Sequence, residues 1–166
     1  MVKFTLVHEI PCDTETFWKI FFDTEYNDKL YRGRLEFPKF EILEQKDTGA
    51  QIHRKAAGQP KMDLPGPLAK LLGPGFSYVE DGTLDKATNT YRWKLVTSTL
   101  SEKIRNEGVL HVEPAGDGKI KRIVELSMEA KVFGLGGMLE KTGEKSMRDG
   151  WEGSAVFLRE WIQKHA

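Results

Sequence analysis

The sequence predicts an α+β fold: a curved antiparallel sheet of about seven strands wrapped around a long C-terminal helix, with two short helices after the first strand. Three observations predict it. Apolar and polar residues alternate at the start of the chain and again over most of the stretch from Leu35 to Val132, which is the period of half-buried strands. The segments between these runs are short and rich in Gly, Asp, Asn and Ser, as hairpin connections require. From Leu135 onward the apolar spacing becomes helical and stays so to the end. The 166 residues fit one domain, large enough to bury roughly 70% of its unfolded surface.

The first strand, Lys3 to Ile10, places Val2, Phe4, Leu6, His8 and Ile10 on one face. Pro11 stops the pairing, and Asp13 or Thr14 can cap a helix whose apolar side carries Phe17, Trp18, Phe21 and Phe22. A second short helix is predicted over Thr24–Tyr31, ended by Gly33. Strands follow at Leu35–Lys46, Ala50–Ala57, Phe76–Asp85, Thr90–Leu100, Ile104–Glu113 and Lys119–Val132. Between the second and third of these, Gln59 to Gly75 contains Pro60, Pro65, Pro67 and Pro74, which forbid a ladder strand. Leu64, Leu68, Leu71 and Leu72 keep a helix-like spacing there, so a structured flap is expected. The last strand is the most explicit, with Val124, Leu126, Met128, Ala130 and Val132 on one parity and mostly charged residues on the other. In the terminal helix, Leu135, Met138, Leu139, Met147, Trp151, Ala155, Leu158 and Ile162 form an apolar stripe. Gly143, Gly150 and Gly153 interrupt it, each costing roughly 0.8–1 kcal/mol relative to Ala. A close neighbour or a bound molecule should account for them.

Lys+Arg and Asp+Glu are equal at 25 each, so no net field favours nucleic acid or an anionic surface. Tyr91, Arg92, Trp93 and Lys94 alternate rings with charges, but alternation puts them on opposite faces, which fits a core better than nucleic-acid stacking. Cys12 is the only cysteine, which excludes an internal disulfide and multi-thiolate zinc. His8, His53, His111 and His165 are scattered and form no metal motif. Gly134, Gly136 and Gly137 lack the spacing and βαβ context of a dinucleotide loop. The N-terminal stretch does not read as a signal peptide, and no segment approaches a bilayer span. A cytoplasmic protein without metal or cofactor is expected.

In this order of elements, the segments DTETFWKIFFDTEYNDKL and GLGGMLEKTGEKSMRDGWEGSAVFLREWI resemble the helix pair and the gripped helix of the START-like (SRPBCC, helix-grip) superfamily. That superfamily includes lipid-transfer domains, polyketide cyclases and the birch-pollen allergen group. The resemblance spans essentially the whole chain and points to an uncharacterised branch. It implies an elongated cavity between sheet and helix, and binding or transfer of a hydrophobic small molecule, such as a lipid or an isoprenoid-like compound.

Tyr78, Trp93, Leu95, Leu110, Val112, Leu126, Met128, Met147, Gly150 and Trp151 are the candidate lining residues, with the alternative that they fill a solid core. His8, Arg54, Glu80, Asn106 and Arg122 are the candidate polar contacts. Phe133, Leu135 and Leu68 form a candidate portal for transient membrane contact, formed by the flap and the glycine loop Gly134–Gly137. No residue is assigned a catalytic role. A cofactor-free cyclase or hydrolase using His8, Glu80 or Tyr78 for proton transfer is an alternative, as is a protein-interaction adaptor using the charged outer strand faces.

Overall fold

The computed structural model describes residues 1–165. One antiparallel sheet of seven strands has the order β1-β7-β6-β5-β4-β3-β2, comprising β1 (Val2–Ile10), β2 (Lys39–Asp47), β3 (Gln51–Gln59), β4 (Tyr78–Asp85), β5 (Thr90–Thr97), β6 (Ile104–Pro114) and β7 (Ile120–Ala130). From β2 to β7 the sheet is a meander, and β1 closes against β7 with Phe4 opposite Leu126 and His8 opposite Arg122. The sheet curves around α4 (Gly136–Lys164), which packs on β1 and β7. Among the described residues no helix is long and apolar enough to cross a membrane.

The helix pair forms where the caps predict. The Asp13 carboxylate accepts from Thr16 N at 2.7 Å to start α1 (Thr14–Phe21), and Asp23 accepts from Tyr26 N at 2.8 Å to start α2 (Thr24–Asp28). Buried Asn27 donates to the carbonyls of Phe21 and Asp23, tying the two helices together. Beyond Asp28 the chain departs from the sequence reading: Lys29–Arg34 widens into a π-helical turn, closed by Leu35 N donating to Leu30 O at 2.8 Å. Gly33 lies inside this turn rather than ending a helix, and β2 begins only at Lys39. The segment between, with Glu36 at a positive φ, becomes a wall of the site described below.

The proline-rich segment is a structured flap containing α3 (Gly66–Leu72). Leu68 and Leu72 pack with Ile104, Met128, Ala130 and Leu139 into a small core of their own. The main core joins Phe17, Trp18 and Phe22 of the helix pair to Tyr91, Trp93, Leu110, Val112 and Val124 of the sheet. Two strand glycines make room for its rings: a Cβ on Gly82 would overlap Tyr91, and one on Gly108 would overlap Trp93.

The helix glycines are explained in three different ways. Gly143 lies where α4 crosses β7, and Met128 Sδ occupies the place a Cβ would take. A Cβ on Gly153 would come within 3.3 Å of the Leu35 side chain. A Cβ on Gly150 would meet nothing within 4 Å.

Candidate functional site

The space beside Gly150 belongs to a cavity of about 740 Å³ between the sheet and α4. Gly143, Met147, Gly150, Trp151, Ser154 and Leu158 present one stripe of α4 to it, at the three- and four-residue spacing of a helix face. The sheet contributes Tyr78 and Glu80 from β4, Trp93 and Leu95 from β5, Asn106 from β6, and Arg122, Leu126 and Met128 from β7. Phe17, Phe21, Tyr26 and Leu30 close one end from the helix pair and the start of the π turn, and Tyr31, Leu35 and Phe37 follow from that turn and the segment after it. Exposed Arg34, Glu36, Lys61, Asp63, Lys145 and Asp149 also border the cavity, so its mouth lies between the 34–37 segment, the 60–63 segment and the middle of α4. Ion pairs Lys61–Glu36 and Lys145–Asp149 rim this mouth.

Of the residues singled out in the sequence, Tyr78, Trp93, Leu95, Leu126, Met128, Met147, Gly150 and Trp151 stand in the wall. Leu110 and Val112 do not. Both are on the inward parity of β6, but α1 covers that end of the strand, and they are completely buried in the main core against its rings. Among the polar candidates, Glu80, Asn106 and Arg122 are in the wall, whereas His8 and Arg54 lie behind it. The portal needs revision. Leu68 is 0% exposed and holds the flap down, so it cannot meet a membrane; Phe133 is fully exposed and Leu135 half-buried. The glycine loop forms no part of the cavity border, which is set instead by the 34–37 and 60–63 segments. The sequence reading missed Tyr26, Leu30 and Tyr31. Their apolar spacing within and just beyond the second short helix was the available signal.

The polar groups differ in how fully they are answered. Arg54 donates through Nε and Nη2 to Glu80 Oε2 at 3.3 and 3.0 Å, and through Nη1 to the Phe21 carbonyl at 3.2 Å. Tyr91 donates to the same Glu80 oxygen at 2.9 Å, and the guanidinium lies 4.6 Å from the Phe21 ring centroid. Although burial opposes the charge, Glu80 drives the Arg54 pKa upward, so this is a closed structural ion pair. Burial raises the hydroxyl pKa of Tyr26, Tyr31 and Tyr78, keeping these phenols neutral donors. Arg122 lies 5.0 Å from the Trp151 ring centroid, and burial lowers its pKa to about 10, which leaves it charged at neutral pH. Asn106 Nδ2 reaches only Met147 Sδ, at 3.7 Å, and its Oδ1 is buried without a partner among the described residues. Among the described residues no three His, Cys, Asp or Glu side chains gather in a metal-binding arrangement.

Residues 5–162 match the family described as "Protein of unknown function (DUF2505)". The chain belongs to that family. Its fold is START-like, and it is similar in structure to an aromatase/cyclase, Zhui, from Streptomyces sp. R1128 (TM-score 0.73, 9% identity, covering 98% of this chain and 94% of that one). It is also similar to a START superfamily protein from Mycobacterium smegmatis (TM-score 0.59, 16% identity, 99% of both chains). A third similar structure is norcoclaurine synthase from Thalictrum flavum in complex with dopamine and hydroxybenzaldehyde (TM-score 0.61, 15% identity, 99% of this chain and 89% of that one). At these identities the likeness is one of fold. No curated protein matches the chain significantly in sequence.

Proposed function

We propose that the chain binds an apolar small molecule, lipid-like in character, in the cavity between the sheet and α4. The observation that carries this reading is the volume left open among aromatic and aliphatic side chains. A dry void of 740 Å³ would cost on the order of 18 kcal/mol at about 24 cal/mol per Å³, more than the typical stability of a whole domain. The space therefore holds water or a ligand, and an apolar wall favours the ligand, at about 25 cal/mol per Å² of apolar surface removed from water. The START-like fold and the ligands named for norcoclaurine synthase support the same reading. Exchange passes through the charged mouth near Lys61 and Lys145, and exposed Phe133 is the side chain placed to touch a membrane during delivery.

Trp93 and Trp151, with ring centroids 5.7 Å apart in the cavity wall, provide the assay. Titration with the neutral dye N-phenyl-1-naphthylamine should quench their emission and saturate at one dye per chain. Absence of saturable quenching by this dye and by a panel of fatty acids, alcohols and isoprenoids would overturn the proposal.

A further inference from the structure

Arg54 and Arg122 are both almost completely buried, but only Arg54 has a carboxylate on its guanidinium. Every group that Arg122 reaches is neutral. Nη1 donates to Ser154 Oγ at 3.1 Å, and Nη2 donates to the Trp151 carbonyl at 3.0 Å and to His8 Nδ1 at 3.1 Å. Nε is buried with no hydrogen-bond partner among the described residues. Burial and the adjacent Arg122 lower the His8 pKa, which keeps the imidazole uncharged and able to accept at Nδ1. Exposed Glu152 approaches the opposite ring nitrogen of His8, Nε2, at 3.1 Å without hydrogen-bond geometry, so the imidazole stands between that carboxylate and Arg122. Arg159 adds a repulsive charge to Arg122. A buried cation left in this condition is costly unless something answers it.

The cavity is where an answering group can come from. Arg122 is part of its wall, as are Tyr26 and Tyr31, the tyrosines whose hydroxyls feel the Arg122 charge most directly. Asn106 borders the same cavity far away: Arg122 is opposite Val112 and Asn106 opposite Met128, six residues along β7 and so about 20 Å distant. Leu126, Met128 and Met147 make the stretch between apolar.

We propose that the ligand is an amphiphilic carboxylic acid whose carboxylate pairs with Arg122 while its apolar body runs along the cavity toward Met128 and Met147. This rests on the cavity being the ligand site. A carboxylate is the planar partner a guanidinium binds in two-point fashion, and the tyrosine hydroxyls can donate to the same oxygens. The inference names a chemical class, which the apolar wall alone does not.

The test is competition against N-phenyl-1-naphthylamine near neutral pH by laurate, dodecanol and dodecyl phosphate, in wild type and in Arg122→Met. Wild type should bind laurate at least about tenfold more tightly than dodecanol, the worth of one charge-assisted pair. Arg122→Met should lose that preference and keep dodecanol binding. Met retains the length of the arginine stem, and an apolar replacement of a buried charge is often tolerated. Equal wild-type affinities for laurate and dodecanol, a preference that survives in folded Arg122→Met, or tighter binding of dodecyl phosphate would each overturn the carboxylate assignment while leaving the cavity a binding site. Failure of the dye and all three competitors to bind would instead remove the binding reading and this inference with it. The wild-type comparison decides the matter even where the variant does not fold.

Discussion

Replacing Gly150 with Leu should strengthen the helix and weaken the ligand site at once. Gly150 lies within α4 and lines the cavity, and a Cβ there meets no atom within 4 Å. The helix gains about 0.8 kcal/mol from the propensity difference alone. Partial burial of the new side chain adds about 1 kcal/mol, so the melting temperature should rise by about 4–8 °C at the 2–4 °C per kcal/mol expected for this chain length. The ligand loses contact equivalent to about three methylenes at about 0.8 kcal/mol each, close to 2.5 kcal/mol, or about a hundredfold in affinity. Thermal denaturation followed by circular dichroism measures the first effect and dye titration the second. A variant less stable than wild type would mean that the space beside Gly150 is not there. A stable variant with undiminished affinity would mean that the ligand does not use it.

Glu80→Gln leaves Arg54 buried without its counter-charge and should cost about 3–5 kcal/mol in urea unfolding; a loss under about 1 kcal/mol would show the pair to be incidental. His8 is held neutral by burial and by Arg122, below its ordinary value of 6.5, so below that pH the unfolded chain takes up a proton that the folded chain refuses. Its contribution to stability is therefore complete above pH 6.5 and is lost as pH falls from there toward the lowered folded value; His8→Gln should flatten the stability profile across that window, and an unchanged slope would contradict the assignment. Burial, reinforced by Asp13, pushes the Cys12 thiol up to about 11, so native protein should resist a disulfide reagent at mildly alkaline pH and react fully once denatured. Rapid labelling of the native protein would contradict the burial of Cys12.

The parts legible in the sequence were those fixed by a single period. The parity of β7 placed Val124, Leu126 and Met128 inward, and a polar residue on that parity, Arg122, marked the charged end of the cavity. The stripe Met147, Gly150, Trp151 and Leu158 followed from the helical spacing of α4. Periodicity reports which face a residue takes, not what covers that face. Leu110 and Val112 share the parity of Asn106, yet α1 covers their end of β6 and leaves the Asn106 end to the cavity. The π turn at Lys29–Arg34 carries no spacing of its own, so the wall residues Tyr31 and Leu35 and the mouth beside them could not be placed from pattern alone. Nor does sequence spacing distinguish the two buried arginines. The pairing of β3 with β4 brings Arg54 beside Glu80, while β1 and β7 bring Arg122 beside a neutral imidazole.

Native mass spectrometry of the protein purified from its own host, with solvent extraction of the same sample, tests the central claim most directly. The account predicts a bound apolar molecule at near one per chain that extraction removes. A bare polypeptide mass that does not shift on adding laurate, dodecanol or an isoprenoid panel would contradict it and leave the cavity as solvent.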